Sequence, residues 1–156
     1  MTSTSAYSSS LTSFPLTPVR TIIPYESRYI HRDKVYKELE ELVRLENGWD
    51  GYKAGPVSMD NANYALRILE GICSESTPPP HIVPGINGDL QLEWHTDSVE
   101  IELHIVGPNN VYFWTNDSEI CPEDEAIHIT ASDFTGVSSK IAELTESGND
   151  WIAATR

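Results

Sequence analysis

Basic residues are scarce in this sequence: Lys and Arg number 10 against 24 Asp and Glu, a formal net charge of -14. Direct binding to DNA or RNA needs Lys and Arg to neutralise phosphates, so this balance argues against it. Cysteine is scarce too, and Cys73 and Cys121 form neither a zinc spacing nor a disulfide framework. No apolar run approaches the roughly 20 residues that cross a bilayer, which argues against an integral membrane protein. Nor does the chain carry a Gly-x-Ser-x-Gly elbow, a Walker loop or a dinucleotide fingerprint. Cys121 lies amid Glu119, Glu123, Asp124 and Glu125, a field ill suited to a thiolate nucleophile. Hydrophobic residues make up only 39% of the chain, so the composition predicts a segment outside the packed core.

That segment is residues 1–18, with ten Ser or Thr (six Ser, four Thr) and no charged side chain. It cannot bury enough apolar area to offset its ordering entropy, and it reads as a disordered tail. A transit peptide is the sharper alternative, because the stretch is Ser-rich, acid-free and followed by Arg20, Arg28 and Arg32. Residues 19–156 read as a single domain of ordinary size. Its first part, with Ile22, Ile23, Pro24, Tyr25, Tyr29 and Ile30, is apolar enough to adhere to the body.

Helical spacing of Val35, Leu39, Leu42 and Val43 predicts a first helix from about Asp33 to Glu46, capped by Asp33 and stopped at Asn47-Gly48. Ser58 reads as the N-cap of a second helix to about Cys73, with Ala62, Ala65, Leu66, Leu69, Ile72 and Cys73 inward. Thr77-Pro78-Pro79-Pro80 then stiffens the link to the strands. Asn87-Gly88 reads as a type I′ hairpin turn between Ile82-Val83 and the strand Leu90–Trp94. With Thr96-Asp97 as the next tip, Trp94 faces Val99, Leu92 faces Ile101, and Leu90 faces Leu103. Val111–Trp114 and Ile127–Ile129 read as further strands, and Ser132 to Ser147 as a last helix stopped by Gly148. The expected fold is α+β: two helices, an antiparallel meander of four to five strands, and a C-terminal helix.

In that register Gln91, Glu93, His95, Ser98, Glu100, Glu102 and His104 share the polar face, with Glu93 opposite Glu100 and Asp89 at the edge. Charge is also segregated along the chain. Residues 1–67 hold eight basic and eight acidic side chains; residues 68–156 hold two basic and sixteen acidic, so the whole -14 lies in the second part. Net charge aids solubility, and a one-signed surface also steers an oppositely charged partner. The carboxylates and imidazoles of the face offer a second reading, a divalent metal site or a shared proton. Trp49-Asp50-Gly51-Tyr52 suits either a recognition loop or a plug between helices and sheet, with Asp50 capping local amides.

Asn47-Gly48-Trp49-Asp50-Gly51-Tyr52, with Ala54 and Pro56, resembles the Asn-Gly-Trp-Asp-Gly-Tyr-Gly-Ala…Pro loop of small uncharacterised bacterial proteins. That family is similar again at Gly88-Asp89-Leu90-Gln91-Leu92-Glu93-Trp94, and the likeness covers about residues 39–115; Lys53 stands where the family usually has Gly. The resemblance implies a bacterial or phage origin and a cytoplasmic setting, and it carries no catalytic residue across.

The function expected from the residues is a non-enzymatic acidic binding protein, antitoxin-like or inhibitor-like, that blocks a basic surface of a partner protein. Asp89, Glu93, Glu100 and Glu102 are its expected contacts, with Trp49 and Tyr52 as aromatic anchors. No cofactor is expected. The alternatives are a metal-binding protein or metal-dependent enzyme on the polar sheet face, and a structural subunit that self-associates through the aromatic strand Tyr112 to Trp114.

Overall fold

Alternating apolar and polar residues build one antiparallel sheet of five strands in sequential order, β1 (His81–Pro84), β2 (Leu90–His95), β3 (Glu100–Gly107), β4 (Asn110–Thr115) and β5 (Ile127–Thr130). Three helices accompany it, α1 (Arg32–Val43), α2 (Met59–Ile72) and α3 (Thr135–Ala154). The computed structural model describes residues 29–130 and 133–154. The tail at residues 1–18, the segment 19–28 and Ser132 lie outside the described residues. The architecture is α+β with a β-meander, as the sequence predicts.

One face of the sheet is apolar. Leu90, Leu92, Trp94, Ile101, Leu103, Ile105, Val111 and Phe113 are all buried on it, and Val99 joins them from the β2–β3 turn. The helices supply the opposing layer through Val35 and Leu39 of α1, Ala62, Ala65, Ile68 and Leu69 of α2, and Val137, Ile141 and Leu144 of α3. Every other residue of each strand therefore points away from the helices, toward an open face.

The sheet register differs from expectation at two turns. Asp97-Ser98 form the β2–β3 tip, because Thr96 and Val99 close it: Thr96 N–H donates to Val99 O at 3.0 Å, and Thr96 Oγ1 accepts from Val99 N–H at 2.9 Å. Pairing is displaced by two residues, so Trp94 faces Ile101, Leu92 faces Leu103 and Leu90 faces Ile105. A two-residue slip keeps each side chain on its face, so the expected apolar and polar faces hold while the partners change. Glu93 lies opposite Glu102, and Glu100 opposite His95. In the β1–β2 hairpin, Gly85 N–H donates to Asp89 O at 2.8 Å, leaving Ile86-Asn87-Gly88 as the loop. Only Gly88 of the three has a positive φ (81°), the pattern of a three-residue loop, whereas a type I′ turn would need Asn87 there as well.

The helices also depart locally. α1 begins at Arg32 with His31 at the cap position, since Arg32 N–H already bonds Tyr29 O, and Asp33 falls in the first turn. It ends at Val43, where Leu42 O accepts the amide of Val57 at 3.2 Å from the following loop. Ser58 caps α2 as expected, its side chain accepting from Asn61 N–H at 3.1 Å. α3 runs through Gly148 to Ala154; glycine weakens a helix but halts it only where the backbone turns left-handed, which Gly148 does not.

Candidate functional site

The open face carries three cross-strand rows. His95 and Glu100 form one; His81, Glu93, Glu102 and Trp114 form the next; Val83, Gln91, His104, Tyr112 and His128 form the third. Asp89 reaches the third row from the end of the β1–β2 hairpin, with Oδ2 2.6 Å from His104 Nε2. Burial pushes the Asp89 carboxyl up, yet the His104 hydrogen bond and backbone N–H groups of Asn87 and of Asp89 itself outweigh it, holding the group below its ordinary value. Glu93 Oε2 is shared between His95 Nε2 at 3.4 Å and His81 Nδ1 at 3.7 Å.

The four expected carboxylates, Asp89, Glu93, Glu100 and Glu102, thus share one face, but their surroundings differ. Asp89 and Glu93 have imidazole neighbours. Glu100 and Glu102 have no hydrogen-bonded or ion-paired partner for their carboxylates among the described residues. Glu102 also opens into a shallow groove of about 340 Å³ lined by Gln91, His104, Tyr112, Trp114 and Ala126. The Trp114 indole N–H donates to Asp124 Oδ1 at 2.7 Å, fixing the ring plane. The Tyr112 ring lies between His104 and His128, with centroids 6.4 and 4.9 Å away. The sequence offers Tyr112 to Trp114 as an aromatic strand for self-association; it is the alternation of Val111-Tyr112-Phe113-Trp114 that brings both rings to the carboxylate face.

Trp49 and Tyr52 lie elsewhere, on the loop that follows α1. Asp50 Oδ1 accepts from the amides of Tyr52 (2.9 Å) and Ala54 (3.1 Å), the capping role its turn setting predicts. The Trp49 indole N–H is tied to Gly55 O at 2.8 Å, while the Tyr52 side chain is 87% exposed and so plugs nothing. The loop meets the sheet at the β1–β2 hairpin, where Gly55 N–H donates to Ile86 O and Ser58 N–H to Gly88 O. Trp49 and Tyr52 therefore stand at the hairpin end, on a different element from the carboxylate rows.

Among the described residues, no three His, Cys, Asp or Glu side chains are grouped so as to hold a metal ion. Cys73 and Cys121 are both buried and free. Burial pushes the Cys73 thiol up to about 12, which suits a core side chain and not a nucleophile. Among the described residues no helix is long and apolar enough to cross a membrane. A second concavity, of about 170 Å³, lies between α1 and α2 and is walled by Tyr36, Leu39, Val43, Met59 and Leu66. No family model matches the chain, and no match is found among curated proteins or solved structures.

Proposed function

We propose that this protein is a non-enzymatic acidic binding protein, antitoxin-like or inhibitor-like, whose open sheet face covers a basic surface of a partner protein. The observation that carries the reading is Glu100 and Glu102, on one face of β3 with no countercharge among the described residues, within a chain segment holding the entire -14. Like charges directly across a sheet, such as Glu93 and Glu102, cost up to about 1 kcal/mol. A basic partner would relieve that repulsion and would be steered by the field. Carboxylates standing in for phosphates at a nucleic-acid-binding surface are one version of this. The reading takes its cytoplasmic setting from the loop resemblance.

The test is a pull-down at low and high salt with the full chain and with a Glu100→Gln/Glu102→Gln bait. A partner retained at low salt, released at high salt and lost with the double variant is the expected result. Absence of any salt-sensitive partner, or equal capture by both baits, overturns the reading.

A further inference from the structure

The groove around Glu102 has the chemistry of a receptor for one cationic side chain. Tyr112 and Trp114, two residues apart on β4, present rings on the same face of the sheet. Glu102 is the direct register partner of Trp114, and His104 of Tyr112. Two groups along this groove are already engaged: His104 by Asp89, and the Trp114 indole by Asp124. Those contacts hold the walls in place before anything binds, which lowers the ordering cost of binding. Glu102 is different. It is half-buried between the walls and its carboxylate has no partner among the described residues.

We infer that the Glu102–Tyr112–Trp114 groove binds an arginine side chain of a basic protein partner, the guanidinium lying against the aromatic rings and bonding the Glu102 carboxylate. This rests on the reading above and names the contact that anchors it. Arginine fits better than lysine for three reasons. Its planar cation stacks on aromatic faces, it is weakly hydrated and so is cheaper to desolvate, and its fork matches a carboxylate with two parallel hydrogen bonds. The side-chain oxygen of Gln91, on the neighbouring strand, adds an acceptor on the same groove. Charge complementarity supplies the rest, since the face around the groove also carries Glu93, Glu100 and Asp124. A neutral ligand would stack equally well but would leave the Glu102 charge unanswered.

The experiment is a ¹H–¹⁵N NMR titration of the full chain with hexa-arginine, hexa-lysine and hexa-citrulline peptides in about 20 mM salt, where surface charge is weakly screened. Hexa-arginine should move the Trp114 indole and Glu102 amide signals first, with hexa-citrulline inert and hexa-lysine weaker by about threefold or more. Glu102→Gln should weaken hexa-arginine about tenfold, and Trp114→Leu similarly, while Glu75→Gln, an exposed acid in the α2–β1 link, should change it by less than about twofold. The dispersion of each variant's spectrum reports that it is folded. If shifts spread over all acidic residues and Glu102→Gln matches Glu75→Gln, the groove is not the receptor, although the acidic-binder reading stands. If hexa-lysine binds the groove as tightly, the assignment to arginine fails. If no cationic peptide binds, both readings fall.

Discussion

The carboxylate of Asp89 occupies the space that a β-carbon on Gly85 would take. Gly85 and Asp89 pair across the neck of the β1–β2 hairpin, and the missing side chain lets the carboxylate fold back over the strand. From there it accepts the Asn87 amide at 3.0 Å and meets His104 at 2.6 Å. Gly85→Ala should therefore expel the carboxylate and lower stability by about 1–3 kcal/mol, the cost of losing charged hydrogen bonds. In an Asp89→Ala background the same change should become neutral or stabilising by up to about 1 kcal/mol, because the backbone of Gly85 is not left-handed. A double-mutant cycle from urea midpoints checks this; additive effects would mean that the two residues do not share this space.

Stability should fall with acid through the same carboxyl. Asp89 is held below its ordinary value of 3.8 in the fold. A group depressed on folding contributes fully above its unfolded pKa, and the contribution is lost as pH drops through the folded value. Asp89→Asn should thus be less stable than the parent at pH 6, with the gap narrowing below about pH 4. Thermal melts from pH 6 to 2.5 measure it, and a constant gap would assign the loss to something other than the charge.

Asn61 locks the helices to the hairpin. It is 4% exposed, and its Nδ2 donates to Gly88 O at 2.8 Å and to Val106 O at 3.3 Å. Asn61→Leu fills similar space but takes a donor from both carbonyls, leaving Gly88 O with the Ser58 amide alone, so it should cost about 1–3 kcal/mol. Amide exchange at Ser58, which donates to the same Gly88 carbonyl, should accelerate with it.

Glu102→Gln should leave the melting temperature unchanged or raise it, by the equivalent of up to about 1 kcal/mol, since it removes a like charge opposite Glu93. A marked fall would show that Glu102 serves the fold, although its carboxylate has no partner among the described residues.

Most of the fold was legible because strict alternation in Leu90–His95 and Glu100–Ile105 leaves only one way to bury the sheet. Ser58 was legible for a similar reason: its oxygen and the Asn61 amide three residues on are close in sequence. What was hidden depended on partners far along the chain. Thr96 closing on Val99 moved the register by two and put Glu93 against Glu102 instead of Glu100, which no alternation pattern distinguishes. The early end of α1 answers to the Val57 amide, and the buried Asn61 to carbonyls on the β1–β2 loop and on β3. The groove is half legible: alternation puts Glu102 on the polar face, but the pairing that sets Trp114 beside it joins strands through a separate turn.

The sheet ends in two short strands, and that restricts how other chains can approach it. β1 and β5 are four residues each, and β1 includes Pro84, which has no amide hydrogen to offer. A peptide seeking to extend the sheet sideways would find too few consecutive donors and acceptors for a stable added strand. Backbone-templated polymerisation is thereby discouraged without any charge at the rim. Recognition is left to side chains on the broad face, so specificity must be written in residues such as Glu102 and Trp114 and not in main-chain pairing.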